Sequence, residues 1–367
     1  MEIKAKKVEL IELFYDLIYV YAISKLTELI VESANNVIPI NDFFIYIVIS
    51  FVILQAWLYF TNYVNRYGKW KWYDYLIVCI NMIAVIYMAN TISPEWNEMN
   101  LTFNISMLVM LLTVVILYVI QAFKEKDKNS AAVNSIINLA IVCTIYLIAI
   151  ICIKLNLSNV VIWLDVIAVL LGAFLPFVIK GKFNKGIINF PHLVERFELL
   201  TIITFGEGIV GMTHFFDTSK FSFIPILTFV VFITMFGAYV IQIHNLMNHH
   251  REERSLRLMF SHYFIVISIN LITVCFELIH GGTIDHLFVC ELLIACLIVF
   301  YTAIMINYKY YKESVKLRKK DIAIMILSAI IGSTIMLVAI DSIYGFLNGI
   351  LIITVLNFFV LLYKQRM

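Results

Sequence analysis

The fold of this chain is constrained most by twelve apolar stretches, each close to the length that a helix needs to cross a bilayer, which is about 20 residues. They lie at residues 12–30, 43–63, 74–92, 103–123, 132–153, 159–179, 194–216, 222–246, 258–279, 286–307, 322–340 and 343–363. Only 14% of the residues are charged and 62% are hydrophobic, whereas soluble domains average about 25% charged residues. The sequence therefore predicts an all-α, polytopic membrane protein with about twelve transmembrane helices, of which the first and the seventh are the least apolar.

The positions of the basic residues predict how these helices cross the membrane. If the N-terminus is cytoplasmic, only Lys154 and Lys220 of the 27 lysines and arginines fall on external segments, and Lys25 and Arg196 fall within helices. All the others fall on internal segments, as the positive-inside rule requires. Because removing or adding one helix would destroy this alternation, we expect twelve spans with both termini in the cytoplasm.

The two halves of the sequence resemble each other. The segment ELFYDLIYVYAISKL begins at Glu12 and ERFELLTIITFGEGI begins at Glu195, and the two share a Glu, a Phe two positions later and a Leu five positions later. An even number of spans in each half gives two copies of the same orientation, as in parallel repeats of transporters. We expect two parallel six-helix halves, residues 1–183 and 184–367, in one membrane domain. Chance likeness between two apolar helices is the alternative.

The same segments resemble a known family. ELFYDLIYVYAI is similar to the ELFFDLVFV-type opening of the bacterial low-temperature-requirement A (LtrA) membrane proteins, and ERFELLTIITFGEGIVG is similar to their ERF-x-L-x-x-I-x-x-GE motif. TNYVNRY after the second helix and His262 also match the pattern of that family. The family's aromatic-rich motif near the end of helix 8 is reduced here to YVIQIHN. The family name records a growth phenotype, so the resemblance implies membership but no substrate or reaction.

Glu207 is the most unusual residue of the seventh stretch, because it stands between Gly206 and Gly208 in an otherwise apolar run. An ionised side chain at a helix centre costs about 2.5–3.5 kcal/mol, whereas each large aliphatic residue returns only about 0.3–0.6 kcal/mol. The glycines permit a close helix contact, local unwinding or exposure of the backbone to a ligand. We expect Glu207 to face the bundle interior, and Glu207, Gly206 and Gly208 are candidates to bind a substrate or an ion. A buried ion pair that fixes helix packing is the alternative.

Helical periodicity suggests partners for this carboxylate. At 100° per residue, one face of the seventh helix carries Arg196, Thr204, Glu207, Gly211 and His214. Arg196 and Glu207 are three turns apart, about 16 Å, and cannot pair directly. Lys25, the deepest cation, is the first candidate to neutralise Glu207 or Asp165. Asp16 is the predicted partner of Arg196 near the cytoplasmic end.

Five further residues are secondary candidates for the site: Glu12, Glu195, Glu198, His262 and Glu277. The carboxylates of Glu12, Glu195 and Glu198, with that of Asp16, are placed in the first turns of their helices, where capping or interfacial pairing is the structural alternative. His262 is expected to be a hydrogen-bonded or interfacial histidine. Glu277 lies toward an outer helix end, where it either snorkels or lines a vestibule.

The six cysteines lie in apolar stretches without CxxC or metal-ligand spacing, so we expect small core residues and no metal site. The sequence also contains no GxSxG, HExxH, P-loop or dinucleotide motif. We therefore expect no enzymatic activity and no cofactor, although an intramembrane enzyme with an unfamiliar site stays open. No basic patch suggests nucleic acid as a partner.

Three functional hypotheses remain, in order of preference. The first is a secondary transporter or permease, coupled to protons or cations, with membrane lipids and an unknown small solute or ion as partners. The second is a non-transporting membrane sensor or lipid-interacting scaffold that supports growth in the cold. The third is a channel, which would need a continuous polar path. The resemblance implies the bacterial cytoplasmic membrane as the location, and the sequence leaves the oligomeric state open.

Overall fold

The computed structural model describes residues 6–34, 36–93, 96–125, 130–178, 187–216, 221–251, 255–282 and 284–366. These residues form twelve α-helices and no strand longer than an isolated bridge, and helix makes up 85% of the structure. The helices are α1 (Leu10–Ser33), α2 (Ile40–Tyr67), α3 (Trp72–Ala89), α4 (Trp96–Glu125), α5 (Ala131–Lys154), α6 (Ser158–Val178), α7 (Phe190–Met212), α8 (Ile224–Val240), α9 (Leu256–Gly281), α10 (His286–Ile306), α11 (Lys319–Val338) and α12 (Ile343–Gln365). The predicted all-α class is confirmed.

Ten of the described helices are long and apolar enough to cross a membrane. The other two are α1 and α7, the helices that the sequence marks as least apolar. Their low hydropathy has a clear cause, since α1 carries Glu12, Asp16, Lys25, Glu28 and Glu32, and α7 carries Glu195, Arg196, Glu198 and Glu207. The protein is thus a multi-pass membrane protein whose two most polar helices contain most of the candidate site residues.

Several helices begin earlier than the apolar pattern predicts, and among them are the two that carry the candidate carboxylates, α1 and α7. α1 begins at Leu10 and α7 at Phe190, because the amphipathic residues before the apolar stretch already take helical conformation. Asp16, Glu195 and Glu198 consequently lie beyond the first turns, and the predicted capping position is wrong for these three carboxylates. Glu12 alone of the four lies in a first turn.

The chain divides into two compact units. The first comprises Met1–Ile30, Ile40–Arg196 and Glu252–Arg254. In it, α4 packs against α2, α3 and α5, and α6 packs against α2 and α5. The division falls within α7, after Arg196, so the first turns of this helix belong to the first unit. That residues 1–183 and 184–367 are two copies of one repeat remains a prediction.

The second unit comprises Val31–Pro39, Phe197–Arg251 and Ser255–Met367. In it, α9 packs against α10, and α12 packs against α8 and α11. Helices α11 and α12 approach closely because a Cβ at Gly349 would lie 2.6 Å from the carbonyl oxygen of Gly332. Small residues at such crossings let transmembrane helices pack closely. Lys364 and Asp321 join the same two helices through a buried ion pair of 2.6 Å.

The six cysteines are all free thiols, as their spacing predicts. Cys143, Cys275, Cys290 and Cys296 are buried, whereas Cys152 is half-buried and Cys79 is exposed. The prediction that all six are core residues is therefore wrong for the last two. The reason is that residues on an outward helix face of a membrane protein are as apolar as residues in its core, so hydropathy does not separate them.

Candidate functional site

A cluster of fully buried charged side chains joins α1 to the first turns of α7 within the first unit. Arg196 donates from Nη1 to Oε2 of Glu12 at 2.6 Å and from Nε to Oδ2 of Asp16 at 3.2 Å, and its Nη2 binds the other oxygen of Asp16. All three side chains have no solvent exposure. Glu12 and Asp16 are four residues apart and lie on one helix face. One guanidinium therefore serves two carboxylates.

Two tryptophans supply further donors to the carboxylates. The indole N–H of Trp57 donates to Oδ1 of Asp16 at 2.7 Å, and that of Trp70 donates to Oε1 of Glu12 at 3.2 Å. The guanidinium of Arg196 also lies 5.6 Å from the centroid of the Trp57 ring. Buried charges are tolerated only when they are paired and hydrogen-bonded. The cluster meets this requirement with donors from α2 and from the segment that precedes α3.

His192 extends the cluster from the same face of α7 as Arg196. Its Nδ1 lies 3.1 Å from the amide nitrogen of Asn65, whose orientation is fixed by two bonds to the backbone of Asn189, at 2.7 Å and 3.1 Å. Because Asn65 presents its NH2 group to Nδ1, we infer that Nδ1 is an acceptor and that the proton is on Nε2. Nε2 lies 3.1 Å from Oε2 of Glu12.

The charges of the cluster do not balance on their own. Glu12 and Asp16 contribute two negative charges, Arg196 one positive charge, and His192 none in the inferred tautomer. Lys6 provides the nearest additional cation, and its Nζ donates to the carbonyl oxygens of Val64 and Gly68. Burial lowers the pKa of the Lys6 ammonium from its ordinary value, and the Glu12 carboxylate acts in the opposite direction. With Lys6 counted, two positive charges stand against the two negative charges of Glu12 and Asp16.

The predicted pairing of Asp16 with Arg196 is present, whereas the pairing of Lys25 with Asp165 is not. Lys25 forms its ion pair with Glu28 at 2.6 Å, one turn along α1, and both side chains are solvent-accessible. Within the described residues, Asp165 has no cation at ion-pair distance, and its hydrogen-bond donor is Asn104. A pairing of Lys25 with Glu207 remains a prediction.

Comparison with known families decides the identity of the chain. The sequence model for the bacterial low temperature requirement A protein (LtrA) matches residues 7–356, which is nearly the whole chain. The chain belongs to the LtrA family. A search of the curated proteins found no match.

In this LtrA-family chain, Arg196 belongs to the ERF motif and Glu12 and Asp16 to the ELFYDL motif. The structure brings the charged residues of the two motifs into contact through the hydrogen bonds of the cluster. The two motifs that mark the family resemblance are therefore in direct contact in the structure.

The face of α7 around Glu207 lies in the second unit, where small residues admit α9. A Cβ at Gly208 would lie 2.8 Å from Oγ1 of Thr273, and a Cβ at Gly211 would lie 2.5 Å from Oε1 of Glu277. Gly206 is different, because a Cβ there would meet nothing within 4 Å. Glu207 and Glu277 are both half-buried. The two glycines therefore serve close helix contact, and the contact places the Glu277 carboxylate against α7.

The other predicted residues of the second unit are placed differently. His262 is buried, with Nδ1 at 2.7 Å from the carbonyl oxygen of Leu258 and Nε2 at 3.0 Å from the hydroxyl of Tyr239. It is the hydrogen-bonded histidine that the sequence suggests. Glu198 faces His244 at 3.5 Å. The side chain of His214, predicted on the face of Glu207, lies outside the described residues.

Glu195, predicted beside Arg196, lies on an exposed part of α7 in the first unit. No sequence pattern assigns a site role to the supporting residues Trp57, Asn65, Trp70, Asn189 and Lys6, although Asn65 belongs to the segment TNYVNRY that resembles the family. The one signal available was periodicity, since His192 precedes Arg196 by four residues and shares its helix face.

Proposed function

We propose that this LtrA-family protein is a secondary transporter, or permease, whose transport is coupled to protons or cations and which catalyses no chemical reaction. The observation that carries the proposal is the buried guanidinium of Arg196, shared between Glu12 and Asp16. Ionisable residues inside membrane proteins are costly and often mark the paths of ions, protons or substrates. Because one guanidinium binds both carboxylates, the loss of either carboxylate leaves Arg196 with a partner.

The proposed coupling step is competition for a carboxylate. A proton or a cation that binds Glu12 or Asp16 removes that carboxylate from Arg196 and weakens one of its hydrogen bonds. A ligand of this kind shifts a conformational equilibrium only by its different affinity for the two states. Glu207 is the proposed second acidic position, with Gly206 and Gly208 beside it, and its protonation or cation occupancy changes during the transport cycle.

The proposed setting is the bacterial cytoplasmic membrane, with both termini in the cytoplasm. The distribution of lysine and arginine supports this orientation. Membrane lipids are the surroundings of the outward helix faces, and an unknown small solute or ion is the cargo. Nucleic acid is not a proposed partner.

The test is ion flux into proteoliposomes under a pH gradient and under sodium and potassium gradients. The wild type is compared with Asp16→Asn and Glu207→Gln, each checked for a monodisperse profile and for thermal stability. Glu28→Gln is the matched control, because Glu28 is on α1 like Asp16 but its side chain is 54% exposed. Its ion-pair partner is Lys25, one helical turn away. We expect flux in the wild type and the control, and its loss in both test variants.

Absence of flux of protons, sodium and potassium in the wild type would overturn coupling to these ions. If Asp16→Asn then only lowered thermal stability, the cluster would be a packing element. The alternative function, a membrane sensor or lipid-interacting scaffold, would then take precedence and would be tested by lipid binding. Flux that both test variants retain would remove these carboxylates from the mechanism.

A further inference from the structure

A second buried carboxylate of the first unit lies apart from the arginine cluster. Asp165 of α6 is fully buried, and the amide nitrogen of Asn104 of α4 lies 3.5 Å from its Oδ2. The same nitrogen donates to the carbonyl oxygen of Asn100 at 2.9 Å, which is the shorter bond. Asp165 thus receives one long hydrogen bond and, among the described residues, no ion pair.

Several polar atoms around Asp165 lack hydrogen-bond partners within the described part of the chain. They are Oδ1 of Asp165, Oδ1 of Asn104 and Nδ2 of Asn100, and all three side chains are at least 98% buried. Buried polar atoms are almost always paired, and each exception needs an explanation. Two of these three atoms are acceptor oxygens, one of them on Asp165 itself, and the third is an amide nitrogen.

A hydrogen on Asp165 would remove the buried charge and change how its unpaired oxygen can bond. A protonated carboxyl is both a donor and an acceptor, so a proton on Oδ1 turns an unpaired acceptor into a donor for a neighbouring oxygen, such as Oδ1 of Asn104. An ionised carboxylate would instead be a buried charge without a cation, which proteins avoid by neutralisation. A hard metal cation fits less well, because it takes six or more oxygen ligands and the unpaired side-chain oxygens here are two.

We propose that Asp165 is a proton-binding site and that its carboxyl is protonated in this conformation. The role of this proton as the coupling ion rests on the proposed transport function, whereas protonation itself does not. The titratable neighbours are Tyr146 and Cys143 of α5 and Tyr59 of α2, which interact electrostatically with Asp165 or with one another. None of these neighbours is a cation that could hold the carboxylate ionised.

A polar face of α6 continues from Asp165 toward α2. The residues one and two turns further along, Val169 and Gly172, lie on the same helix face as Asp165. The carbonyl of Val169 accepts a bond of 2.9 Å from the side chain of Gln55, and a Cβ at Gly172 would collide with the hydroxyl of Tyr59. That hydroxyl is a further buried atom without a partner among the described residues. Gln55 and Tyr59 thus place polar groups of α2 against α6 one to two turns from Asp165.

The test is infrared difference spectroscopy at neutral pH on the full protein in lipid nanodiscs. Subtraction of the Asp165→Asn spectrum from that of the wild type should show the carbonyl band of a protonated carboxyl, and this band should move in D2O. Asp321→Asn is the matched control. Asp321 is also buried, although it lies in the first turn of α11 and is 4% exposed. It pairs with Lys364 at 2.6 Å, so its removal should delete a band of an ionised carboxylate.

A second variant keeps the test decisive if Asp165→Asn does not fold. In protein labelled with 13C-aspartate, Asn104→Ala should shift the protonated-carboxyl band, because it removes the hydrogen-bonding neighbour of Asp165. An ionised-carboxylate band for Asp165 in either measurement would overturn the proposal. The result is independent of transport, because a protein that moves no ion can still show the band. If transport is found, Asp165→Asn should abolish its dependence on the pH gradient.

Discussion

Arg196 holds the carboxylate of Asp16 side-on, through Nε and Nη2, although the two residues are 180 positions apart in the sequence. The contact ties the seventh helix to the first within one compact unit. Both side chains are fully buried, and Trp57 donates a further hydrogen bond to the same carboxylate. Buried charged side chains therefore join α1 to α7, the two helices with the lowest hydropathy.

Removal of the arginine should be far more damaging than removal of one acid. Arg196→Met removes the cation that Glu12 and Asp16 share, and breaking a buried pair in this way costs about 3–5 kcal/mol. Asp16→Asn leaves Arg196 with Glu12 and should cost less. The measurement is the free energy of unfolding in detergent for each variant.

The control for this comparison is the exposed pair on α1. Glu28→Gln breaks the Lys25–Glu28 ion pair, in which the side chains are 31% and 54% exposed. Exposed ion pairs typically contribute about 0–1 kcal/mol, so this variant should unfold like the wild type. Equal losses for Arg196→Met and Glu28→Gln would contradict a structural role for the buried cluster.

Asn65 should stabilise the entry of the chain into α7. Its side chain bonds both the N–H and the carbonyl oxygen of Asn189, and it also faces Nδ1 of His192. Asn65→Leu removes these bonds to the half-buried Asn189, at a cost of about 0.5–1.5 kcal/mol per hydrogen bond. Hydrogen exchange at residues 187–193 is the sharper measurement, since exchange there should accelerate while exchange in α4 stays unchanged. Equal acceleration in both segments would indicate global destabilisation and would contradict the local role.

The helices could be predicted from the sequence because hydropathy acts locally. Every apolar stretch became a helix, and the low hydropathy of α1 and α7 was visible before the structure. Helix starts were less predictable. A start signal for α7 exists, since the N–H of His192 donates to Oδ1 of Asn189 at 3.1 Å and Pro191 follows in the first turn. Because this signal precedes the apolar stretch, hydropathy alone places the start of α7 too late.

The partners of the site residues were less predictable because they depend on tertiary contacts. Asp16 with Arg196 could be proposed from motif and depth alone, and the pair exists. The assignment of Lys25 to Asp165 failed, because a glutamate one turn away on the same helix is within reach of Lys25. The bond between Asn65 and Asn189 spans 124 positions and has no local signal.

The loop after the π-helical segment Ile241–Leu246 should give a pH dependence of stability. His249 donates from Nε2 to the carbonyl oxygen of Ile243 at 2.7 Å. Burial lowers the pKa of His249 from its ordinary value of 6.5, and the neighbours His244, Lys312 and His250 act in the same direction, against the hydrogen bond. As the pH falls below 6.5, the unfolded chain takes up a proton that the folded site resists, so the free energy of unfolding should decrease.

His249→Gln should remove this part of the pH dependence, because glutamine keeps a donor for Ile243 but does not titrate. The measurement is thermal unfolding between pH 5 and pH 8, and His250→Gln, at the adjacent exposed position, is the control. The difference in unfolding temperature between wild type and His249→Gln should change in favour of the variant as the pH falls. A difference that is constant across the range would show that His249 does not titrate differently in the folded state.

The three glycines around Glu207 should respond differently to alanine. At Gly211 the added Cβ would lie 2.5 Å from Oε1 of Glu277, and at Gly208 it would lie 2.7 Å from a ring carbon of Phe232 and 2.8 Å from Oγ1 of Thr273. Overpacking of this kind costs about 1–3 kcal/mol. At Gly206 the Cβ would meet nothing within 4 Å, and alanine within a helix is about 0.5–1 kcal/mol more favourable than glycine.

Gly206→Ala is therefore the matched control for the other two substitutions, since all three change the same residue type within six positions of α7. Unfolding in detergent should order the variants with Gly206→Ala at or above the wild type and Gly208→Ala and Gly211→Ala below it. The same order in flux assays would indicate that transport depends on the contact of α7 with α9. Loss of flux in Gly206→Ala at full stability would point instead to an exposed backbone at that position as part of the ligand path, because its added methyl group disturbs no packing contact.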